Sequence, residues 1–204
     1  MKTMTTLKLT KLVMIFLTAF SLITSCKNDD DDEVQATVYP EEMILSSYLS
    51  TTGYNQANTA YVNSGNYEFG LVFTPQVNGA IKSLKVNIPD TNSNLRITIW
   101  DVAANTVVRT ETVNVATANA DVSKTISPIN LEKTKKYAIT MNSADWNNRK
   151  KTNNSAATYP VTAGNIVINE YRWATSTAAQ QIFPTNIGTD YYAGDVDFVF
   201  QQTN

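Results

Sequence analysis

The chemistry open to this chain rests on its carboxylates, its flat aromatic side chains and one cysteine. Histidine is absent, so serine–histidine and cysteine–histidine nucleophile systems and histidine-ligated zinc are excluded. Neither a phosphate-cradling glycine loop nor a dinucleotide fingerprint occurs. What remains for catalysis is a pair of carboxylates roughly 5 to 10 Å apart across a glycosidic bond. Asp101, Asp145, Glu170 and Asp195 are candidate acids, but their spacing singles out no pair. The residues therefore predict no enzyme, with a glycosidase as the catalytic alternative.

The aromatics carry more information, because sugar rings expose apolar C–H faces that stack on flat side chains while amides and carboxylates hold the hydroxyls. Trp146 lies in Asp145-Trp146-Asn147-Asn148-Arg149, a polar setting that reads as a loop. Tyr171 and Trp173 flank Arg172 on an alternating strand and so share a face. One reading makes Trp146, Trp173 and Tyr171 a ligand-binding surface with Asp145, Asn147, Arg149 and Arg172 as polar contacts. The other has Tyr171 and Trp173 closing one end of a sandwich, with only Trp146 accessible. Trp100, at the end of an alternating strand, is expected to be structural. No cofactor is expected; if a structural calcium ion were held, Asp90, Asp101, Asp195 and Asp197 are its oxygen donors. Asp195 and Asp197 equally suit a plain solvated strand face, which is the simpler reading.

The cysteine is Cys26, and its setting is an address. Met1–Lys11 carries three lysines and no acid, Leu12–Ile23 is almost wholly apolar, and Thr24-Ser25 precede the cysteine. That order is a secretory signal, residues 1–25, with an apolar part shorter than the ~20 residues a spanning helix needs. Its end resembles a bacterial lipobox, which implies diacylation of Cys26 as the first mature residue and anchoring by more than one chain. The run Asp29–Glu33 cannot bury anything, so residues 26–40 read as an acidic, lipidated tether. It is similar to the export signal of surface lipoproteins in glycan-foraging Gram-negative bacteria, which implies an outer-membrane protein facing the cell exterior; the alternative faces the periplasm.

Residues 41–204 then make a single domain of ordinary size. From Met43 onward basic and acidic residues nearly balance, so the broad basic field that nucleic-acid binding needs is missing, and Arg149-Lys150-Lys151 reads as a solvated loop. With no second cysteine the core is not disulfide-stapled. Apolar residues recur every second position at Leu84-Val86-Ile88, Leu95-Ile97-Ile99 and Tyr137-Ile139-Met141, which marks half-buried strands. Further strands are expected at Leu71–Phe73, Thr106–Val115, Lys124–Ile129, Asn165–Ile168 and Val196–Phe200, with breaks at Asn78-Gly79, Pro89-Asp90, Asn105, Pro128, Pro160, Gly164 and Gly194. Glu41–Ser50 serves equally as a short helix or a first strand, and Thr140–Ala163 reads as long loops. The fold expected is an all-β antiparallel sandwich, jelly-roll or immunoglobulin-like.

One ordered series of short motifs remains. Glu68-Phe69-Gly70-Leu71-Val72-Phe73, Gly79–Leu84, Ile99-Trp100-Asp101, Lys136–Ile139, Phe183-Pro184-Thr185, Tyr192 and Asp195–Phe200 follow one another along the chain. The series resembles domain of unknown function 4082, a β-sandwich family often joined to carbohydrate-active or adhesive modules. Ala116–Val122 stands where that family has a Gly-Trp-rich stretch. The resemblance implies a fold and a binding role without assigned catalytic residues. Together these readings predict a surface-displayed lipoprotein whose sandwich binds a glycan, or otherwise a surface protein as an accessory subunit of an outer-membrane complex.

Overall fold

The structure, a computed structural model, describes residues 37–203; the expected signal segment, Cys26 and the acidic run lie outside them. In chain order the elements are β1 (Glu41–Met43), α1 (Ile44–Thr52), β2 (Ala57–Tyr61), β3 (Tyr67–Pro75), β4 (Gly79–Val86), β5 (Asn92–Asp101), β6 (Thr106–Val115), β7 (Val122–Leu131), β8 (Tyr137–Ser143), β9 (Trp146–Lys150), β10 (Val161–Ala163), β11 (Ile166–Thr175), β12 (Asn186–Gly188), β13 (Tyr192–Ala193) and β14 (Val196–Gln202). A four-stranded sheet, β1-β14-β4-β7, packs on a larger one, β10-β11-β3-β8-β5-β6 with β12 beside β11, and β13-β9-β2 form a third, small sheet. The sheets are antiparallel throughout, so the all-β sandwich is observed.

Alternation selects the core. Phe69, Leu71 and Phe73 of β3, Leu95, Ile97 and Ile99 of β5 and Tyr137, Ile139 and Met141 of β8 are buried against Leu84 and Val86 of β4 and Val196, Phe198 and Phe200 of β14. The rings of Phe73 and Phe198 meet across the sheets at 4.8 Å. Each such side chain contributes about 1.5–3 kcal/mol on full burial.

The register shifts at several places, and two of them have a consequence here. On β11 the register shifts between Ile168 and Glu170, so Ile166 and Ile168 face inward, Asn169 is the extra residue, and Tyr171 and Trp173 take the inward positions that follow. Asn169 is tied down by its amide, which donates to Thr74 Oγ1 at 2.8 Å. Pro128, expected as a break, lies inside β7, where the register shifts opposite Ile81–Ser83; β7 is an edge strand, where a missing N–H is tolerated.

Two expectations about irregular chain are corrected. Thr140–Ala163 contains the end of β8, all of β9, and β10, because β2 and β13 pair with the two edges of β9 and satisfy its polar backbone. Glu41–Ser50 is neither helix nor strand alone: β1 pairs with β14 and α1 follows. Ile44, Tyr48, Leu49 and Thr52 are its buried side, and Gly53 closes it in the left-handed region at φ 80°. The helix start is set from across the chain, since the Asp197 carboxylate accepts the N–H groups of Ile44 at 3.2 Å and Leu45 at 2.9 Å, and that of Phe198 at 2.8 Å. Asp197→Ala would strand these donors, and urea unfolding is expected to show a loss of about 1.5–3 kcal/mol. Asp197→Asn keeps an acceptor and is expected to retain most of that stability.

The outward face of the larger sheet is also covered. Glu68, fully buried, accepts from Thr140 Oγ1 at 2.6 Å and pairs with Arg96 at 2.9 Å, while Trp100 Nε1 donates to Thr140 Oγ1 at 2.9 Å. The segment 176–185 lies over this network: Arg96 donates to the carbonyls of Ala178 and Gln180, and Phe183 packs edge-on against Trp100 at 5.6 Å. Beside Glu68, a Cβ on Gly70 would stand 1.9 Å from the Ile139 carbonyl oxygen, so the close approach of β3 to β8 requires glycine.

Candidate functional site

The strand β9 separates the residues grouped around Trp146. Alternation puts Trp146 and Asn148 on one side and Asn147 and Arg149 on the other. Arg149 grips Asp195 with Nε and Nη2, each contact 2.5 Å, and Asn147 Nδ2 donates to Asp195 Oδ2 at 3.1 Å. Asp195 and Asp197, expected on a solvated face, are both buried; Asp195 precedes β14 at φ 27°, so the strand spacing that paired them does not apply. Burial raises both carboxyls above their ordinary value, against the opposing pull of Arg149 on Asp195 and of the N–H groups on Asp197. Arg149-Lys150 is accordingly part of a strand, and its arginine is anchored.

A depression of about 200 Å³ opens beside these groups, lined in part by Leu45, Lys85, Asp121, Arg149, Asp195 and Asp197. Its two buried carboxylates are already occupied, one by a guanidinium and an amide and the other by three backbone donors. They are structural, holding β9 and α1 onto the start of β14. The other acids considered for calcium are elsewhere: Asp101 pairs with Lys135 at 3.0 Å, and Asp90 accepts the Thr91 N–H at 2.7 Å. Among the described residues no three acidic side chains gather where an ion could be held.

A second depression, about 170 Å³, is made of aromatic rings. Its rim is Tyr61 of β2, Tyr67 of β3, Trp173 of β11 and Tyr191, all at least partly exposed, and its floor is Phe69, Trp146, Tyr171 and Ala193, all buried. The β11 bulge is what brings Tyr171 and Trp173 here, opposite Leu71 and Phe69. Trp146, expected in an accessible loop, is only 9% exposed. It stacks on its cross-strand partner Tyr61 at 5.4 Å with the rings 11° apart, and meets Tyr67 edge-on at 4.9 Å. Trp146 therefore backs the rim, and Trp173 is the tryptophan that solvent reaches. The reading in which Trp146 alone is accessible is reversed.

Asn148, beside Trp146 on β9, also lines this depression, and its Oδ1 is buried without a hydrogen-bond partner among the described residues. The polar residues expected around the tryptophans are not there. Asp145 accepts the Asn63 N–H at 2.7 Å, Asn147 and Arg149 serve Asp195, and Arg172 pairs with Glu170 at 2.9 Å and lies over Phe183 on the outward face. The structure thus joins Trp146, Trp173 and Tyr171 and parts them from Asp145, Asn147, Arg149 and Arg172. It adds Tyr61, Tyr67, Tyr191 and Asn148. The odd positions Tyr67, Phe69, Leu71 and Phe73 carry one signal of this, since their alternation extends an inward face to Tyr67; Tyr61, on a strand with no apolar alternation, carries none.

Compared with models of protein families and with curated proteins, the chain matches none.

Proposed function

We propose that this chain is an outer-membrane lipoprotein, anchored through Cys26 and displayed at the cell exterior, whose sandwich is a non-catalytic carbohydrate-binding or adhesive module. The observation that carries the binding role is the aromatic depression: Trp173, Tyr61, Tyr67 and Tyr191 stand partly exposed around one hollow with an unpartnered amide oxygen in its wall. Rings supply stacking area for the C–H faces of a sugar, and the rim phenols can exchange hydrogen bonds with its hydroxyls. Among the described residues no carboxylate lines the hollow, which favours binding over glycoside hydrolysis. The likeness to domain of unknown function 4082 supports the same role, and its Glu68, Trp100 and Phe183 belong to the network on the outward face, a structural part.

The test is a glycan array probed with the full chain in a non-glycosidic detergent; binding to at least one glycan is expected, and silence across the array would sink the proposal. The anchor is tested separately by fractionating cells. The native chain is expected in the outer membrane and accessible to added protease on intact cells, and Cys26→Ala lost from the outer membrane, because the acyl chains of the proposed anchor are carried on that thiol.

A second reading, an accessory subunit that binds protein, is favoured by β2. All five of its residues are exposed and among the described residues it pairs only with β9, which leaves one edge of uncharged, proline-free backbone for an added strand. Co-purification of a stoichiometric outer-membrane protein, lost when Thr59 is replaced by proline, would support it over the glycan.

A further inference from the structure

Resting on the carbohydrate reading, we infer that the aromatic depression takes one uncharged pyranose ring, the end of a glycan, and rejects rings bearing a carboxylate or sulfate.

The first ground is charge. None of the described residues lining the hollow is ionic: Lys150, on the same side of β9 as Trp146 and Asn148, is not among them, and the arginines of β9 and β11 are committed elsewhere. Arg149 points to the opposite side of β9 and is held by Asp195, and Arg172 faces outward with Glu170 and Phe183. Negative charge stands beside the rim: burial and Asp190, which precedes Tyr191, raise the Tyr191 phenol above its ordinary value. An anionic ring would leave water for aromatic surface with no counter-charge in the lining, which costs more than stacking returns. A neutral ring loses only hydroxyl hydration, and the rim phenols can replace part of it.

Size is the second ground. At about 170 Å³ the hollow is well below the ~300–1,000 Å³ of sites that enclose larger ligands. It is lined by rings from β2 and from the paired strands β3 and β11, gathered around a space that suits one ring better than a chain.

Calorimetry on the full chain in non-glycosidic detergent tests this with matched probes: methyl glucoside, galactoside and mannoside, the corresponding methyl uronides, and neutral trisaccharides ending in the same sugars. The expected result is that at least one neutral monosaccharide binds, its uronide binds at least tenfold more weakly, and its trisaccharide gains less than about threefold in affinity. Equal or tighter binding of the uronide overturns the charge inference, and a tenfold or larger gain with chain length overturns the single-ring inference. Absence of binding by every sugar, neutral and anionic, overturns the carbohydrate reading itself. A neutral probe that binds the Trp173→Ala chain as well as the native one shows a site other than this hollow and overturns the inference as well.

Discussion

Arg149→Ala is expected to destabilise the sandwich by about 3–5 kcal/mol at neutral pH, the usual cost of removing one partner from a buried ion pair. The Asp195 side chain is 1% exposed and its two oxygens are held by Arg149 and Asn147. Without the guanidinium, a carboxylate stays inside the fold with one amide to answer it. The pH dependence gives the deficit a signature. Burial raises the Asp195 carboxyl above its ordinary 3.8, so the folded protein binds that proton more tightly than the unfolded chain does. The stabilising contribution of the proton is full below the unfolded value and is lost as pH rises through the folded one. Losing Arg149 removes a pull that lowers the pKa, so the deficit of Arg149→Ala is expected to shrink steadily as pH falls from 7 toward 4. Urea unfolding at several pH values reads it. The control is Lys124→Ala, which breaks the pair with Glu111 at 2.8 Å; Lys124 is 36% exposed there, and about 0–1 kcal/mol is expected. A loss of similar size and no pH trend in both variants would show that Arg149 is one more surface charge.

The long alternating strands are legible in the sequence because an apolar inward face sets every second residue of β4, β5 and β8, although the outward residues of β8 are buried as well. Thr106–Val115 is found at the boundaries expected. What is not legible is whatever depends on a partner far along the chain. The bulge at Asn169 rests on Thr74 and on the register with β3; from sequence Tyr171 and Trp173 share a face, but nothing says that it is the same face as Ile166 and Ile168. Helix α1 and strand β1 divide a stretch of ambiguous pattern because Asp197, some 150 positions on, accepts the first two helical N–H groups. For Asp145–Arg149, polarity suggested a loop, whereas the stretch is a strand whose polar side chains answer Asn63 and Asp195 and whose backbone is paired on both edges. Composition reports polarity, and polarity equals exposure only where no buried partner waits.

That distinction separates the two tryptophans. Trp146→Ala is expected to cost about 3–5 kcal/mol, as for a large buried aromatic, because the indole sits between Tyr61, Tyr67 and Phe69, with ring centroids at 5.4, 4.9 and 5.8 Å. Its loss also frees Tyr61, whose strand β2 pairs, among the described residues, with β9 alone. Any loss of glycan binding in that variant follows from a rim that has come apart. Trp173 is half-buried, and of the rings around it Tyr67 at 6.2 Å is the aromatic neighbour. Trp173→Ala is expected to cost only about 1–2 kcal/mol, within the ordinary range for a partly exposed site, while abolishing detectable binding of whichever glycan the native chain takes. Parallel urea unfolding and calorimetry on both variants separate a ring that holds the site together from a ring that touches the ligand. A folded Trp173→Ala chain that binds as the native one does would remove the aromatic hollow from consideration and move the search to the open edge of β2.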